Sequence, residues 1–240
     1  MTFSIAARCE QTSMFGIAIA SSSPAVAARC AWVRADVGAA CTQNVTDPRL
    51  GTALLNLMAA GATASEALAT AVAAAEAIDF RQLTAIDAEG NTAAFSGANT
   101  LGTHATVEGK NAVAAGNLLR TAEVPAAMIA AFAAGPNDHL GDRLIAAMKG
   151  ALAAGGEAGP VHSAGLLVVA DVPWPIVDLR CDWSDDPIGE LSKLWRLWRP
   201  QIDDYVTRAI NPLAAPGYGV LGDPSGASAA PGPDPEHPAP

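Results

Sequence analysis

The sequence predicts an α+β fold in which two β-sheets lie between helical layers, a four-layer α-β-β-α sandwich. Strand-like segments occur in three groups along the chain, and helical segments rich in Ala separate the groups. Short turns join the strands within a group, which is typical of antiparallel pairing rather than of a regular βαβ alternation. The hydrophobic content of 50% over 240 residues is ample for a core of this size.

The first group predicts an antiparallel meander that starts at once, at residue 2. Apolar residues alternate with small or polar ones in each segment, and the connections between segments are short. The predicted strands are 2–8, 15–20, 30–34 and 37–42.

Two helices are predicted after this meander. Gly61 is suited to end the first, because glycine tolerates the left-handed conformation that closes many helices. Thr63 and Glu66 have the T-x-x-E spacing of a capping box, which predicts that the second helix covers 64–78.

The remainder of the chain repeats the alternation of strands and helices. Gly90 and Asn91 predict a tight hairpin between two strands, and Asp186-Pro187 predicts the start of the last helix. In order, the predicted elements are strands 80–87, 92–96 and 112–115, helices 124–134 and 138–154, strands 164–171 and 176–181, and a helix through Trp195 and Trp198.

We expect one domain over residues 1–224, because no convincing boundary or repeat interrupts it. The last segment, 225–240, is rich in Pro, Gly, Ala and Ser. Such a composition buries too little apolar surface to offset the entropy of ordering, so a disordered tail is predicted there.

Composition excludes several classes of partner. Acidic residues outnumber basic ones by 24 to 14, and the resulting net charge of −10 disfavours binding to nucleic acid or to an anionic membrane. No apolar run approaches the roughly 20 residues of a spanning helix, and no secretion signal precedes the first strand, so a cytoplasmic protein is expected. The expected partner is a small-molecule substrate.

The cysteines and the last helix lead to two further expectations. Cys9, Cys30, Cys41 and Cys181 lack the spacing of a zinc site or a disulfide framework, so we expect buried, reduced thiols, no metal and no cofactor. Leu191, Leu194, Trp195 and Trp198 exceed what one small core needs, which favours a homo-oligomer, by default a symmetric dimer.

Thr2 is the candidate catalytic residue. Initiator Met is normally removed before a small residue such as Thr, which would leave a free α-amine and a hydroxyl on one residue at the head of a core strand. An α-amine has a reference pKa of about 7.7–8.0 and can accept the hydroxyl proton near neutral pH. The alternative is that Thr2 is an ordinary exposed residue.

Polar side chains near the end of the fourth predicted strand are candidates for binding substrate or stabilising an oxyanion. Gln43 and Asn44 could donate neutral hydrogen bonds to developing negative charge. Thr46 or Asp47 could simply cap the next helix, with Pro48 in its first turn. That capping leaves Gln43 and Asn44 unexplained, so a functional role and a buried structural amide both stay open.

Three more candidates lie at strand ends. Ser21 and Ser22 could line the site, although serines before Pro24 also make an ordinary turn. Asn117 follows Gly116 at the end of a short strand, where it could contact substrate or orient the amine, or could form a turn.

The chain resembles a widespread, mostly bacterial family catalogued as domain of unknown function 1028, which has the fold of N-terminal-nucleophile (Ntn) hydrolases. The resemblance runs from residue 1 to about residue 222. It rests on the segments 1–8, 38–43, 46–51, 116–119, 163–167 and 177–180, together with Asp186-Pro187. It implies the sandwich fold and implies that Thr2 corresponds to the nucleophile.

The chain departs from many members of this family just after the second strand. Those members have a Lys or bulky residues where this chain has Ser22-Ser23. A basic assistant is therefore not expected there, and Arg34 and Arg180 are the remaining candidates for a fixed positive charge. Arg180 lies beside Asp178 in sequence and is expected to form an ion pair instead.

Two functions are consistent with these residues. The first is hydrolysis of a small amide, in which the Thr2 amine activates the Thr2 hydroxyl. The second is non-catalytic binding or scaffolding by a protein that keeps the sandwich but not the chemistry.

Overall fold

The computed structural model describes residues 1–220 and contains two antiparallel sheets with helices. The predicted tail over 225–240 lies outside the described residues. Contacts between Cα atoms divide the chain into two compact units, Met1–Trp198 and a second unit that begins at Arg199. The second unit contains the 3-10 turn Arg199–Gln201 and the helix α7, Ile202–Ile210.

The first unit contains both sheets. Its strands are β1 Thr2–Arg8, β2 Phe15–Ser21, β3 Ala31–Arg34, β4 Gly38–Asn44, β5 Arg81–Asp87, β6 Thr92–Ser96, β7 Ala105–Gly109, β8 Ala112–Asn117, β9 Ser163–Val169 and β10 Pro175–Cys181. Its helices are α1 Ala27–Cys30, α2 Pro48–Ala59, α3 Ala64–Ala74, α4 Val124–Ala133, α5 Leu140–Ala153 and α6 Pro187–Trp198.

Every strand pair is antiparallel. One sheet has the order β10-β9-β2-β1-β8-β7, and the other has the order β3-β4-β5-β6. Helices α4 and α5 contact strands of the six-stranded sheet, and α2 and α3 contact strands of the four-stranded sheet. The sheets contact each other through the pairs β1 and β4, β5 and β8, and β2 and β3. Strand β1 is therefore central in its sheet and faces the other one.

Two apolar clusters occupy the interior. The cluster between the sheets includes Phe15, Ile17 and Ile19 of β2, together with Cys41 of β4 and Ile86 of β5. A second cluster lies between the four-stranded sheet and helices α2 and α3. All four cysteines are buried and free, as their spacing predicts.

Most predicted helix starts are confirmed. Thr63 and Glu66 form the capping box, with Thr63 N–H 2.9 Å from Glu66 Oε2. Asp47 caps α2 by accepting from Arg49 N at 3.1 Å, and Asp186 accepts from Gly189 N at 3.1 Å at the start of α6.

Two predictions of local structure need correction. The second helix ends at Ala74 rather than at residue 78, because Ala75 is extended and Ala77 has a left-handed φ of 52°. Strand β7 was not expected, since its short sequence Ala-Thr-Val-Glu-Gly lacks a sustained apolar alternation. It is the edge strand beside β8.

Part of the apolar face proposed for self-association is core. Leu191 and Trp195 are buried within the first unit, whereas Leu194 is 37% exposed. Self-association stays a prediction. The predicted ion pair of Arg180 with Asp178 is present, at 3.6 Å. Within residues 1–220, no helix combines the length and hydrophobicity needed to cross a membrane.

Candidate active site

Thr2 begins β1 on the side that faces the other sheet. Its hydroxyl is 3.4 Å from the hydroxyl of Ser21 at the end of β2, and the residue is only 5% exposed. Two residues along β1, Ser4 donates to Gln43 Oε1 of the other sheet at 2.7 Å. Because side chains alternate along a strand, Thr2 and Ser4 share one face. The sequence therefore buries the candidate nucleophile between the sheets.

A chain of buried amides extends from Ser4 to Asn117. Gln43 Nε2 donates to Gln82 Oε1 at 2.8 Å, and Asn117 Nδ2 donates to the same oxygen at 3.1 Å. Gln82 Nε2 donates to the backbone oxygen of Gly116 at 3.0 Å. Gln43, Gln82 and Asn117 are each at most 1% exposed, so their bonds are made away from solvent.

The Gly116 carbonyl fixes the orientation of every amide in this chain. A carbonyl oxygen only accepts, so Gln82 must turn its nitrogen toward it and its oxygen toward Gln43 and Asn117. Those two residues must then present nitrogens to Gln82. The Asn117 oxygen is consequently directed elsewhere, and it is a buried atom with no hydrogen-bond partner in the described part of the chain.

Asn117 lies opposite Thr2 in the register of β1 and β8. Residues directly opposite in an antiparallel pair have Cβ atoms about 4.5–5.5 Å apart. An unpaired buried acceptor costs about 1–3 kcal/mol, and this one lies on the neighbour of the candidate nucleophile. A donor on Thr2 or on a bound molecule could satisfy it.

Ser21 is oriented toward the carbonyl of Met1. Its oxygen accepts from the backbone N–H of Ser23 at 3.1 Å, which leaves its own proton to donate to the Met1 oxygen. The Thr2 hydroxyl donates to the same oxygen at 2.5 Å. Two neutral hydroxyls thus converge on one carbonyl, the arrangement that stabilises a developing oxyanion.

Glu157 lies near this carbonyl and is 2% exposed. Both of its carboxylate oxygens are 3.2 Å from the backbone N–H of Ser22. Burial raises the pKa of Glu157 to about 7, and the Met1 ammonium and the hydrogen bond from Ser22 partly oppose that rise. Glu157 can therefore exchange a proton near neutral pH.

The sequence candidates fall into two sets. Thr2, Ser21, Gln43 and Asn117 lie in one cluster, and the backbone of Ser22 connects it to Glu157. Asn44 instead joins two loops: its Nδ2 donates to Phe80 O at 2.7 Å and its Oδ1 accepts from Leu101 N at 3.2 Å.

Arg34 is placed at the opposite end of β4 from Gln43. It pairs with Gly38 in the register of β3 and β4, and its guanidinium donates to Asn56 Oδ1 at 2.9 Å. Arg34 also borders a different cavity, near Trp174. The structure does not bring it to the cluster.

Three residues of the cluster were not among the sequence candidates. Ser4 and Gln82 occupy alternate positions of strands whose inward face is otherwise apolar, and a polar residue at such a position is a signal that could have found them. Glu157 follows a Gly-Gly turn, where a glutamate is ordinarily solvent-exposed. Nothing in the local sequence distinguishes it.

The cluster is not a metal site by its donor set, since hydroxyls and amides dominate it. Over residues 1–220, no group of three or more His, Cys, Asp or Glu side chains is arranged to hold a metal ion.

The sequence model of the family described as "Family of unknown function (DUF1028)" matches residues 2–191. The chain belongs to this family. The DUF1028 match begins at Thr2 and ends within α6, so it includes every residue of the cluster. No curated protein matches the sequence.

A DUF1028 protein of known structure has a similar fold. The crystal structure of protein SPO2555 from Silicibacter pomeroyi is 31% identical, with a TM-score of 0.76 over 82% of this chain and 88% of that one. The Anbu (ancestral beta-subunit) from Yersinia bercovieri is 12% identical, with a TM-score of 0.38 over 85% of this chain and 97% of that one. The latter likeness is too weak to support an argument.

Proposed function

We propose that this DUF1028 protein is an Ntn amidohydrolase that acts on a small amide or peptide-like substrate, with Thr2 as nucleophile once Met1 is removed. The proposal includes the finer description of the fold, a four-layer α-β-β-α sandwich of the Ntn-hydrolase type. One observation carries it: the Thr2 hydroxyl is buried beside Ser21 and opposite Asn117, at the polar end of the space between the sheets.

In the proposed reaction the Thr2 α-amine takes the proton of the Thr2 hydroxyl as the oxygen attacks the substrate carbonyl. The carbon–nitrogen bond then breaks, and the ammonium returns its proton to the departing amine. Water hydrolyses the resulting ester by the same route, with the α-amine taking a proton from water and giving one to the Thr2 oxygen. The products are an acid, an amine and the regenerated Thr2.

Two neighbours have supporting roles in this proposal. Ser21 donates to the oxyanion, because the bond from Ser23 N directs its proton outward. The unpaired Asn117 oxygen accepts from the Thr2 α-amine, which fixes the direction of the amine lone pair. Gln82 and Gln43 hold Asn117 in that orientation without touching the reacting atoms.

The test is intact mass after treatment with two β-lactones, one cationic and one neutral. A β-lactone acylates a hydroxyl by ring opening, so the adduct carries the whole mass of the probe. We expect loss of Met1 and one adduct on Thr2. Thr2→Ala should lower the rate of acylation by at least about 10³-fold, because the nucleophile is absent.

Thr2→Ser is the matched control, since it keeps both the amine and a hydroxyl and should retain labelling. Retained Met1 in purified protein, or a Thr2 that neither probe acylates, would contradict the proposal. That outcome would favour the alternative, a binding or scaffolding protein, in which Thr2→Ala leaves ligand affinity nearly unchanged.

A further inference from the structure

Met1 shows where an acyl group on Thr2 would lie. Its carbonyl is attached to the Thr2 nitrogen and accepts hydrogen bonds from the Thr2 and Ser21 hydroxyls. In an acyl-enzyme the same kind of carbonyl would be attached to the Thr2 oxygen, a few bonds away on the same residue. Met1 is therefore a guide to the position of the substrate's acyl part.

The amino end of Met1 acts on Glu157. The Met1 ammonium lowers the pKa of the Glu157 carboxyl, which burial otherwise raises. Within the described residues, no Lys, Arg or His side chain forms an ion pair with Glu157. Its carboxylate is held only through the backbone N–H of Ser22. A buried carboxylate of this kind is stabilised by any cation that replaces the Met1 ammonium.

The side chain of Met1 points to a cavity of about 280 Å³ that Glu157 also lines. A Cβ built on Gly159, another residue of its wall, would lie 3.4 Å from Met1 Cε. The wall also includes Asp185 and Asp186, against a single basic residue, Arg120. The cavity is thus acidic on balance, and it lies where the side chain of an acyl group would extend.

We propose that the substrate is an α-aminoacyl amide, such as the first residue of a peptide or an amino-acid amide, and that Glu157 binds its free α-ammonium. This inference rests on the proposed function, since it assigns the substrate class of the same site. Carbonyl, ammonium and side chain of the substrate would take the places that the corresponding groups of Met1 occupy before its removal. An N-acylated substrate has no cation for Glu157 and would leave the buried carboxylate unpaired.

The test compares two β-lactones that differ only at the amine. One is α-amino-β-lactone with a free ammonium, and the other is its N-acetyl derivative. In each case the Thr2 oxygen attacks the lactone carbonyl, the ring carbon–oxygen bond breaks, and the released oxygen takes the hydroxyl proton. The measured quantity is the rate at which the adduct appears in the intact mass.

We expect the cationic lactone to acylate Thr2 at least about tenfold faster than the neutral one, after division by their rates with free threonine in solution. Glu157→Gln should lower the rate of the cationic lactone by about 10- to 100-fold and change that of the neutral lactone less than about threefold. The glutamine oxygen can still accept from Ser22 N, so the loop should keep its conformation. Glu108→Gln makes the same chemical change on β7 and should alter neither rate.

The outcomes separate the two proposals. Labelling of Thr2 by both lactones at equal rates would overturn the aminoacyl assignment and leave the nucleophile intact. Equal slowing of both by Glu157→Gln would make Glu157 structural and overturn the assignment too. The comparison of lactones in the unmodified protein does not depend on how the variant folds. Absence of any Thr2 adduct would overturn both proposals.

Discussion

The space between the two sheets has an apolar part and a polar part, built by the same strands. Toward one end, Phe15 and Ile17 of β2 pack with Cys41 and Ile86 of the other sheet. Toward the other end, the inward positions hold Thr2, Ser4, Ser21, Gln43, Gln82 and Asn117. The strands continue without a break, so the change is one of side chains and not of backbone.

The difference teaches which part contributes stability and which part can perform chemistry. Burying a large aliphatic or aromatic side chain contributes about 1.5–3 kcal/mol, with no demand on orientation. A buried amide contributes about 0.5–1.5 kcal/mol only when its partners are correctly placed, and costs about 1–3 kcal/mol otherwise. The polar part satisfies its groups through one oriented chain of bonds and leaves the Asn117 oxygen open beside Thr2.

The largest effect on stability is expected in the apolar part. Ile17→Ala should lower the free energy of unfolding by about 2–5 kcal/mol, because the buried side chain leaves a cavity. The rate of Thr2 acylation by a β-lactone should stay within about twofold in the folded protein. Urea denaturation and intact mass measure the two quantities.

Gln82→Leu is the matched change in the polar part. It leaves Gln43 Nε2 and Asn117 Nδ2 without their acceptor, at about 1–3 kcal/mol for each group. It should also slow acylation by about 10- to 100-fold, because Asn117 is no longer oriented. If Ile17→Ala slowed acylation as much as Gln82→Leu did, the separation between the two parts would be wrong.

A smaller effect on stability is expected from pH, through Glu157. Its folded pKa of about 7 exceeds the ordinary value of 4.5. The folded state therefore holds a proton that the unfolded state has released, so stability falls as pH rises from about 4.5 to about 7. The loss should approach about 3 kcal/mol.

The measurement is urea denaturation at several pH values between 4.5 and 8, as the difference between wild type and Glu157→Gln. Other carboxyls such as Asp47 and Glu190 have lowered pKa values and act in the opposite direction at lower pH, but they cancel in the difference. A difference that does not change with pH would show that Glu157 does not titrate in this window.

Sequence patterns predicted the strands and helix starts where local chemistry decides them. Thr63 with Glu66 and Asp47 with Pro48 carry their capping partners within a few residues, so their structures follow from spacing. The end of α3 depends on the left-handed Ala77, a conformation that alanine does not announce.

The site was predicted only in part, because its geometry depends on contacts between distant residues. Thr2, Ser21 and Asn117 stood out at strand ends, and the register brings them together. Glu157 comes from a loop whose sequence gives no sign of burial, and it reaches the site only because the backbone of Ser22 meets it. No local pattern encodes a contact over 135 positions.

The smallest effect is expected for Arg34→Ala. Arg34 is a sequence candidate for a fixed positive charge, yet its guanidinium bonds with Asn56 at a solvent-exposed position. An exposed polar contact contributes about 0–1 kcal/mol, so stability should change by less than that. Acylation of Thr2 by either lactone should be unchanged, measured by intact mass against wild type. A reduction above about tenfold would place a cation from outside the polar part in the reaction, and the division between the two parts of the interior would no longer describe the site.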